Sequence, residues 1–366
     1  MPLETQIAHQ LAQLIAADAL TTGTRLPTLR QLSTAAGVNI HTVRAAYQRL
    51  QTQGLVEMSR GRGTTVTAQA LGGFAIGDTR RSFTIGVLMP ALSSFYGPVV
   101  AGLTAAADDD PSGLIYAFAN ERLDSAVVSL RRFLTSGVDG VIVVSQTFSQ
   151  PVEFGSGSLP PFVFADWPGA PGPSVVFDPA PFGELIVHLA DHGHRDIALL
   201  SPPRHHPNIH PLVDVYIDTC HRVGLDEAAD NIHEVPGWSV DQGDTTGGAL
   251  LGSPSRPSAV VATTDDLAIG VMRAARRLGL RPGLDLAVTG HGGTESSSLV
   301  DPGLTTVVLP AWDLGYQAMS LLLAMIDRKP VPPLVTLAGW LSIRESCGCG
   351  LHWKPDTSAG PTPSRW

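Results

Sequence analysis

Residues 26–66 read LPTLRQLSTAAGVNIHTVRAAYQRLQTQGLVEMSRGRGTTV, and this stretch decides the fold of the N-terminal part of the chain. A capping-box pattern at Thr28 and Gln31 predicts a helix that ends near Gly37, whose backbone freedom permits a tight turn. Asn39 is a favourable N-cap for a following helix that ends before Gly54. Two short strands around a glycine- and arginine-rich turn complete a winged helix-turn-helix, which places its second helix in the major groove of DNA.

The charge of this segment supports contact with DNA. Residues 1–68 hold six arginines, no lysine and three acidic residues, a net charge of +3. The whole chain carries −9, so the remaining residues carry −12. We expect only the basic N-terminal part to meet phosphate. Four arginines occupy DNA-facing positions at the start of the second helix, on the third helix and in the turn: Arg30, Arg44, Arg60 and Arg62. Arg25 and Arg49 suit DNA contact and an ordinary solvated surface equally.

Spaced motifs in the same segment resemble the DNA-binding domain of the GntR family of bacterial transcription regulators. They are LP-x-x-R (26–30), GV-x-x-x-TVR (37–44), L-x-x-x-GL (50–55) and GRGT-x-V (61–66). The resemblance covers residues 1–68, and Ile40 departs from it because many relatives carry a polar or basic residue there. It implies DNA contacts from seven positions: Arg30, Asn39, His41, Thr42, Arg44, Arg60 and Gly61.

The rest of the chain alternates strand and helix patterns after a linker at residues 69–82, which contains Gly72 and Gly73. Continuous apolar runs predict strands at 84–89, 115–119, 140–144, 162–166, 175–178, 196–200, 259–263, 285–290 and 305–309. Such runs indicate parallel sheets covered by helices. The length, about 260 residues, favours two α/β lobes with a ligand site between them. A flexible tail is expected at residues 347–366.

Several motifs resemble the effector domain of the LacI/GalR regulators, which is similar to periplasmic sugar-binding proteins. They include IGVLMP (85–90), FYGPVVAGL (95–103), GHRDIALL (193–200), a long match at 257–280, DPGLTTVVLPAWDLG (301–315) and LSIRES (341–346). The resemblance spans residues 83–346. It implies a two-lobed periplasmic-binding-protein-like fold that dimerises and closes on a small molecule.

The same resemblance implies which residues line the effector pocket. Carried over by position, they are Phe95, Tyr96, Asp166, Trp167, Phe177, Trp238 and Asp265. Two charged anchors of the family are missing, because the expected arginine falls on Leu212 and the expected aspartate on Gly292. His291 and His210 offer replacement polarity, so we expect His291 to contact the effector as well. The effector is then expected to bind weakly or to differ from a standard hexose or purine, unless loops shift the alignment by a few residues.

Other chemistry receives less support from the sequence. The spacing of His188, His192 and His194 suits a metal ion, but cationic groups also suit a helix end, and this second interpretation is favoured. Cys347 and Cys349 form a lone C-x-C that cannot supply a four-cysteine zinc site. No metal or cofactor is therefore expected. Nucleophile-elbow, P-loop, dinucleotide-binding and zinc-protease motifs are all missing, so an enzyme is not expected.

The sequence therefore predicts a ligand-responsive transcription repressor that binds a two-fold symmetric DNA operator as a homodimer, with a small carbohydrate-like effector. No apolar run reaches the ~18 residues that a membrane span needs, and a cytoplasmic, soluble protein is expected. Two alternatives stay open. In the first, the two-lobed domain has lost sugar binding and serves only dimerisation. In the second, which is less favoured, the protein is an enzyme that uses the cleft between the lobes.

Overall fold

The computed structural model describes residues 3–16, 20–52, 54–59, 63–67, 83–91, 93–109, 112–119, 122–144, 159–226 and 231–349. The chain divides into two compact units, residues 1–79 and 80–366. The expected linker lies outside the described residues, as does the tail beyond Cys349. None of the helices in the described part of the chain has the length and apolar character needed to cross a membrane.

The described residues of the N-terminal unit form three helices and two paired strands: α1 (Leu3–Ala16), α2 (Leu29–Ala36), α3 (Ile40–Thr52), β1 (Val56–Ser59) and β2 (Gly63–Val66). The predicted capping box is confirmed, since Thr28 and Gln31 exchange both hydrogen bonds. Gly37 adopts φ 63°, the left-handed conformation that ends α2. The two strands pair antiparallel, as in the hairpin that the sequence predicts. Leu55 donates its backbone N–H to the carbonyl of Leu50, a hydrogen bond that closes the turn after α3.

The second unit consists of two lobes, each with a six-stranded sheet. The first lobe has the strand order β13-β7-β6-β5-β3-β4, and all its strands are parallel. Its strands are β3 (Phe83–Met89), β4 (Ser112–Phe118), β5 (Gly140–Val144), β6 (Phe162–Ala165), β7 (Ser174–Phe177) and β13 (Leu334–Leu337). Its helices are α4 (Tyr96–Asp109), α5 (Leu123–Thr135) and α11 (Ala311–Ile326). Helices α4 and α11 pack on one face of the sheet and α5 on the other.

The second lobe has the strand order β14-β12-β11-β10-β8-β9, in which only β14 is antiparallel to its neighbour. Its strands are β8 (Ile197–Ser201), β9 (Ile232–Glu234), β10 (Ala259–Ala262), β11 (Ala287–Gly292), β12 (Thr305–Val308) and β14 (Trp340–Ser342). Its helices are α6 (Ala180–Asp191), α7 (His210–Arg222), α8 (Val240–Leu251), α9 (Asp265–Arg277) and α10 (Glu295–Leu299). The chain crosses between the lobes three times, after β7, after β12 and after β13.

All nine predicted strands are present, with ends that differ by up to three residues. Three further strands occur in the described residues, each at the edge of a sheet: β9 and β13, which were not predicted, and β14, which overlaps the LSIRES motif. Order also continues past the predicted start of the tail. Residues Glu345–Cys347 form a short 3-10 helix after β14, and Cys347 is buried. The last described segment therefore belongs to the second lobe.

Candidate DNA interface and effector cleft

Helix α3 separates a buried face from an exposed face. Four residues form its buried face: Val43, Ala46, Tyr47 and Leu50. Its opposite side carries exposed His41 and Arg44, and half-buried Thr42 lies beside them. Asn39 precedes the helix and its Oδ1 accepts the backbone N–H of His41 at 2.9 Å, which caps the first turn. Arg30 is exposed in the first turn of α2.

Tyr47 fixes the position of α3 against the start of α2. Its ring is fully buried, and its hydroxyl donates a hydrogen bond to the Pro27 carbonyl at 2.7 Å. Burial raises the pKa of Tyr47 to about 12, so the phenol remains a donor. The exposed face of α3 is thus held by a buried aromatic on its opposite side.

The turn between β1 and β2 is only partly described. Arg60, Gly61 and Arg62 lie outside the described residues. At the base of the hairpin, Arg25 pairs with Thr65, and its side chain lies across Gly63. A β-carbon at Gly63 would come within 2.8 Å of the Arg25 Nε. The sequence alone did not decide between a DNA contact and a solvated surface position for Arg25, because only the fold brings it next to a strand about 40 residues away.

Aromatic rings join the two lobes. Phe95 precedes α4 and Phe177 ends β7, and both pack against the apolar cores of both lobes. Their ring centroids are 6.1 Å apart in an edge-on arrangement. Tyr96 lies beside Phe95, with ring centroids 5.2 Å apart. The structure therefore brings three predicted pocket residues together between the lobes, where they offer flat apolar surfaces.

Asp166 lies at the end of β6 and is buried in the same region. Its backbone adopts φ 55°, an uncommon conformation for a residue other than glycine. Burial raises the pKa of its carboxyl to about 7, and a hydrogen bond with Asn208 of the second lobe limits the rise. Trp167 points elsewhere, because it packs edge-on against Phe164 at 5.1 Å in the core beneath α5.

The carboxyl of Asp166 gives a test of this geometry by pH. Since its folded pKa of about 7 exceeds the ordinary 3.8, the folded state holds the proton more tightly than the unfolded state. As the pH rises from about 4 to about 7, the free energy of unfolding should therefore fall, by at most about 4 kcal/mol. Urea titrations of Asp166→Asn should lack this fall. Asp218→Asn, exposed on α7, is the control, and a fall retained in Asp166→Asn would contradict the assignment.

Asp265 begins α9 and is almost fully buried. Its Oδ2 accepts hydrogen bonds from the backbone N–H of Thr294 at 2.6 Å and from the Thr294 hydroxyl at 2.9 Å. Its Oδ1 accepts one from the Thr306 hydroxyl at 2.5 Å. Burial raises its pKa, whereas these bonds oppose the rise. Asp265 thereby holds the segment after β11 in place.

His291 and Trp238 are the remaining predicted pocket residues. His291 lies on β11, and its ring contacts Phe182 edge-on at 5.4 Å. Burial lowers the pKa of His291 to about 4, so its imidazole is neutral near pH 7. Trp238 packs against the core of the second lobe and contacts His206 at 5.6 Å. No contact joins it to the aromatic pair Phe95 and Phe177 among the contacts of the described residues.

The two positions where the resemblance expects a charged anchor, Leu212 and Gly292, carry no polar side chain. Leu212 is buried in the core of the second lobe, on the inner face of α7. Gly292 has φ 133°, which L side chains rarely adopt. A β-carbon there would lie 3.5 Å from the Asp265 Oδ2 and 3.7 Å from Phe95. His210 is engaged with Asp214 at 2.8 Å, whereas His291 remains beside the lobe junction.

Known proteins match both parts of the chain. The family model of bacterial regulatory proteins of the gntR family matches residues 3–66, and that of the periplasmic binding protein-like domain matches residues 186–347. Catabolite control protein A of Priestia megaterium is 29% identical over 276 residues, which cover 73% of this chain and 82% of the relative. The ribose operon repressor of Bacillus subtilis strain 168 is 27% identical over 315 residues, which cover 84% and 94%.

A solved structure supports the same fold. The structure of transcription regulator CcpA of Lactococcus lactis superimposes with a TM-score of 0.64 at 22% identity, and the match covers 73% of this chain and 99% of that one. The relatives named above are transcription regulators and not enzymes. The chain is therefore a transcription regulator in which a GntR-family helix-turn-helix domain precedes a LacI-type, periplasmic-binding-protein-like effector domain.

Proposed function

We propose that the protein is a repressor that binds a two-fold symmetric operator as a homodimer, and that a small, polar, carbohydrate-like molecule controls its affinity for DNA. In this proposal residues 1–68 bind DNA and residues 83–346 bind the effector and dimerise. Residues 69–82 link these two domains. One helix-turn-helix makes few base contacts, so two copies on two half-sites supply the affinity.

The exposed face of α3 supports the DNA-binding part of the proposal. Asn39, His41, Thr42 and Arg44 would meet base edges, while Arg30 and the arginines of the turn, Arg60 and Arg62, would hold phosphates beside Gly61. The acidic remainder of the chain is repelled by DNA, so the orientation of binding follows from charge as well as from shape.

One observation carries the effector part: aromatic faces and buried polar groups converge where the two lobes meet. Phe95 and Phe177 contact both lobes, and Asp166 of the first lobe hydrogen-bonds Asn208 of the second. Sugar-like ligands are bound by such combinations of flat apolar surface and oriented hydrogen bonds. A relative named for ribose regulation supports this ligand class.

The charge states of the side chains at the site restrict the charge of the proposed ligand. Asp166 is partly protonated near pH 7, and His291 is neutral. Leu212 and Gly292 stand where the resemblance expects an arginine and an aspartate, so neither of these two positions offers a charged partner to a carboxylate or a diol. The proposed effector is therefore uncharged and is held by single hydrogen bonds.

Ligand control follows from a difference in affinity between two arrangements of the lobes. A ligand that contacts Asp166 and Phe177 on one side and His291 on the other favours the closed arrangement. If closure changes the spacing of the DNA-binding domains, effector and operator must alter each other's affinity by the same factor.

Thermal-shift measurements on the full-length protein test this proposal. Pentoses, hexoses, polyols, nucleosides and amino acids should be screened, and at 100 times its dissociation constant an effector adds about 2.7 kcal/mol of stability. Phe95→Ala and Asp166→Asn should abolish the shift, whereas Trp167→Phe, outside the junction, should retain it. A screen without any stabilising compound, in a protein that still dimerises and binds DNA, would favour a two-lobed domain that serves only dimerisation. Turnover of a compound would favour an enzyme.

A further inference from the structure

Helix α6 and the end of the described chain bring four metal-binding side chains together, remote from the lobe junction described above. His188 and His192 lie one helical turn apart on α6 and its C-cap. Their imidazole rings are 4.4 Å apart, centroid to centroid. Cys347 and Cys349 approach them from the segment after β14, about 160 residues later in the chain.

The contacts between these side chains are short. His188 Nε2 lies 3.3 Å from the Sγ of Cys347 and 3.3 Å from the Sγ of Cys349. His192 Nε2 lies 3.1 Å from the Sγ of Cys349. The ligand atoms of His188, His192 and Cys349 all lie within 4.8 Å of one another. In a tetrahedral zinc site, bonds of about 2.3 Å to sulfur and 2.0–2.1 Å to nitrogen place these atoms about 3.6 Å apart.

The tautomer of His192 is already set for metal binding. Its Nδ1 lies 2.7 Å from the carbonyl of His188, and this contact requires Nδ1 to carry the proton. Nε2 is therefore left with its lone pair directed at Cys349. A histidine that donates one ring N–H to a backbone carbonyl while the other nitrogen binds metal is the usual arrangement in metal sites.

The two cysteines favour a metal as well. A divalent ion would balance two thiolates, so a site with two neutral imidazoles would carry no net charge. Two sulfur and two nitrogen donors in tetrahedral arrangement suit zinc above other common ions.

We propose that the second lobe holds a structural Zn²⁺ ion at four ligands: His188, His192, Cys347 and Cys349. The ion fastens the segment after β14 to α6, the first helix of the second lobe after the chain leaves the first. From the sequence, the histidines were interpreted as cationic groups at a helix end, and the C-x-C pair was considered without them. Only the fold brings the histidine pair and the cysteine pair together. The site is independent of the proposed effector.

Zinc binding by the tag-free, full-length, reduced protein tests the proposal. After removal of metal with a chelator, Zn²⁺ should rebind at one ion per chain in competition with a chromophoric chelator. Co²⁺ should give the intense visible absorption and the thiolate charge-transfer band of a tetrahedral sulfur-ligated site. Cys349→Ser and His192→Ala should each weaken Zn²⁺ binding by at least about 100-fold, since even loss of a supporting contact costs 10–100-fold.

The controls are chosen from outside the cluster. His205→Ala removes an exposed histidine and Cys220→Ala removes the remaining cysteine of the chain, and both should bind Zn²⁺ normally. Circular dichroism of the metal-free variants shows whether each still folds. Failure of the reduced wild-type protein to bind Zn²⁺, or equal binding by Cys349→Ser and His192→Ala, would overturn the site. The site would also be overturned if Cys347 and Cys349 formed a reversible disulfide but bound no metal ion in the reduced protein.

Discussion

Replacement of Arg44 by alanine should abolish specific binding to operator DNA while the fold stays intact. Arg44 is exposed on α3, opposite the buried face that Tyr47 and Leu50 anchor. A base contact from arginine contributes about 1–3 kcal/mol of discrimination, and a dimer would lose two of them. Fluorescence anisotropy with a duplex selected in vitro by the wild-type protein should show a loss of at least about 30-fold, which corresponds to about 2 kcal/mol.

Arg276→Ala provides the matched control, because it removes the same charge from an exposed position on α9 in the effector domain. It should bind the duplex like the wild-type protein. The salt dependence separates a base contact from a phosphate contact, since loss of a phosphate contact lowers the slope by about one unit per site. Unchanged affinity in Arg44→Ala would remove α3 from the DNA interface.

Tyr47→Ala should unfold the DNA-binding domain without affecting the effector domain. Tyr47 is fully buried and joins α3 to Pro27, and truncation of a large buried aromatic costs about 3–5 kcal/mol. A domain of this size has only about 3–10 kcal/mol of stability in total. Calorimetry of the full-length protein should therefore lose or lower one unfolding transition and keep the other, and DNA binding should disappear with the first.

Tyr47→Phe separates packing from hydrogen bonding at this position. It keeps the ring but leaves the Pro27 carbonyl without its donor, which should cost about 1 kcal/mol. DNA binding at 25 °C should then be close to wild type. If Tyr47→Ala retained both transitions and bound DNA normally, the buried contact of α3 would not determine the position of its exposed face.

The local elements of the fold could be predicted because their causes are local. Thr28 and Gln31 are three residues apart and satisfy each other, and Gly37 adopts the conformation its turn requires. The buried strands β3, β5 and β10 are continuous apolar runs, which need no knowledge of their neighbours. Short edge strands lack such a run, and β9 and β13 form only because β8 and β7 offer free backbone groups.

Site residues were harder to predict because their partners are distant in sequence. Family resemblance located Asp265, but its bonds to Thr294 and Thr306 span 29 and 41 residues, and they show a carboxylate engaged within the protein. Trp167 was assigned to the pocket with its neighbour Asp166, yet its ring packs against Phe164. Asn208 had no motif at all, since it acts only across the two lobes.

The backbone at Gly292 makes an acidic side chain difficult to introduce at this position. Aspartate at this position would have to accept φ 133° and would bring a second carboxylate next to that of Asp265. A single Gly292→Asp change would therefore meet backbone strain and repulsion from the Asp265 carboxylate, although the surrounding atoms leave room for a β-carbon. An acidic contact at this point of the cleft would therefore need a shift of the backbone after β11 as well as a change of side chain.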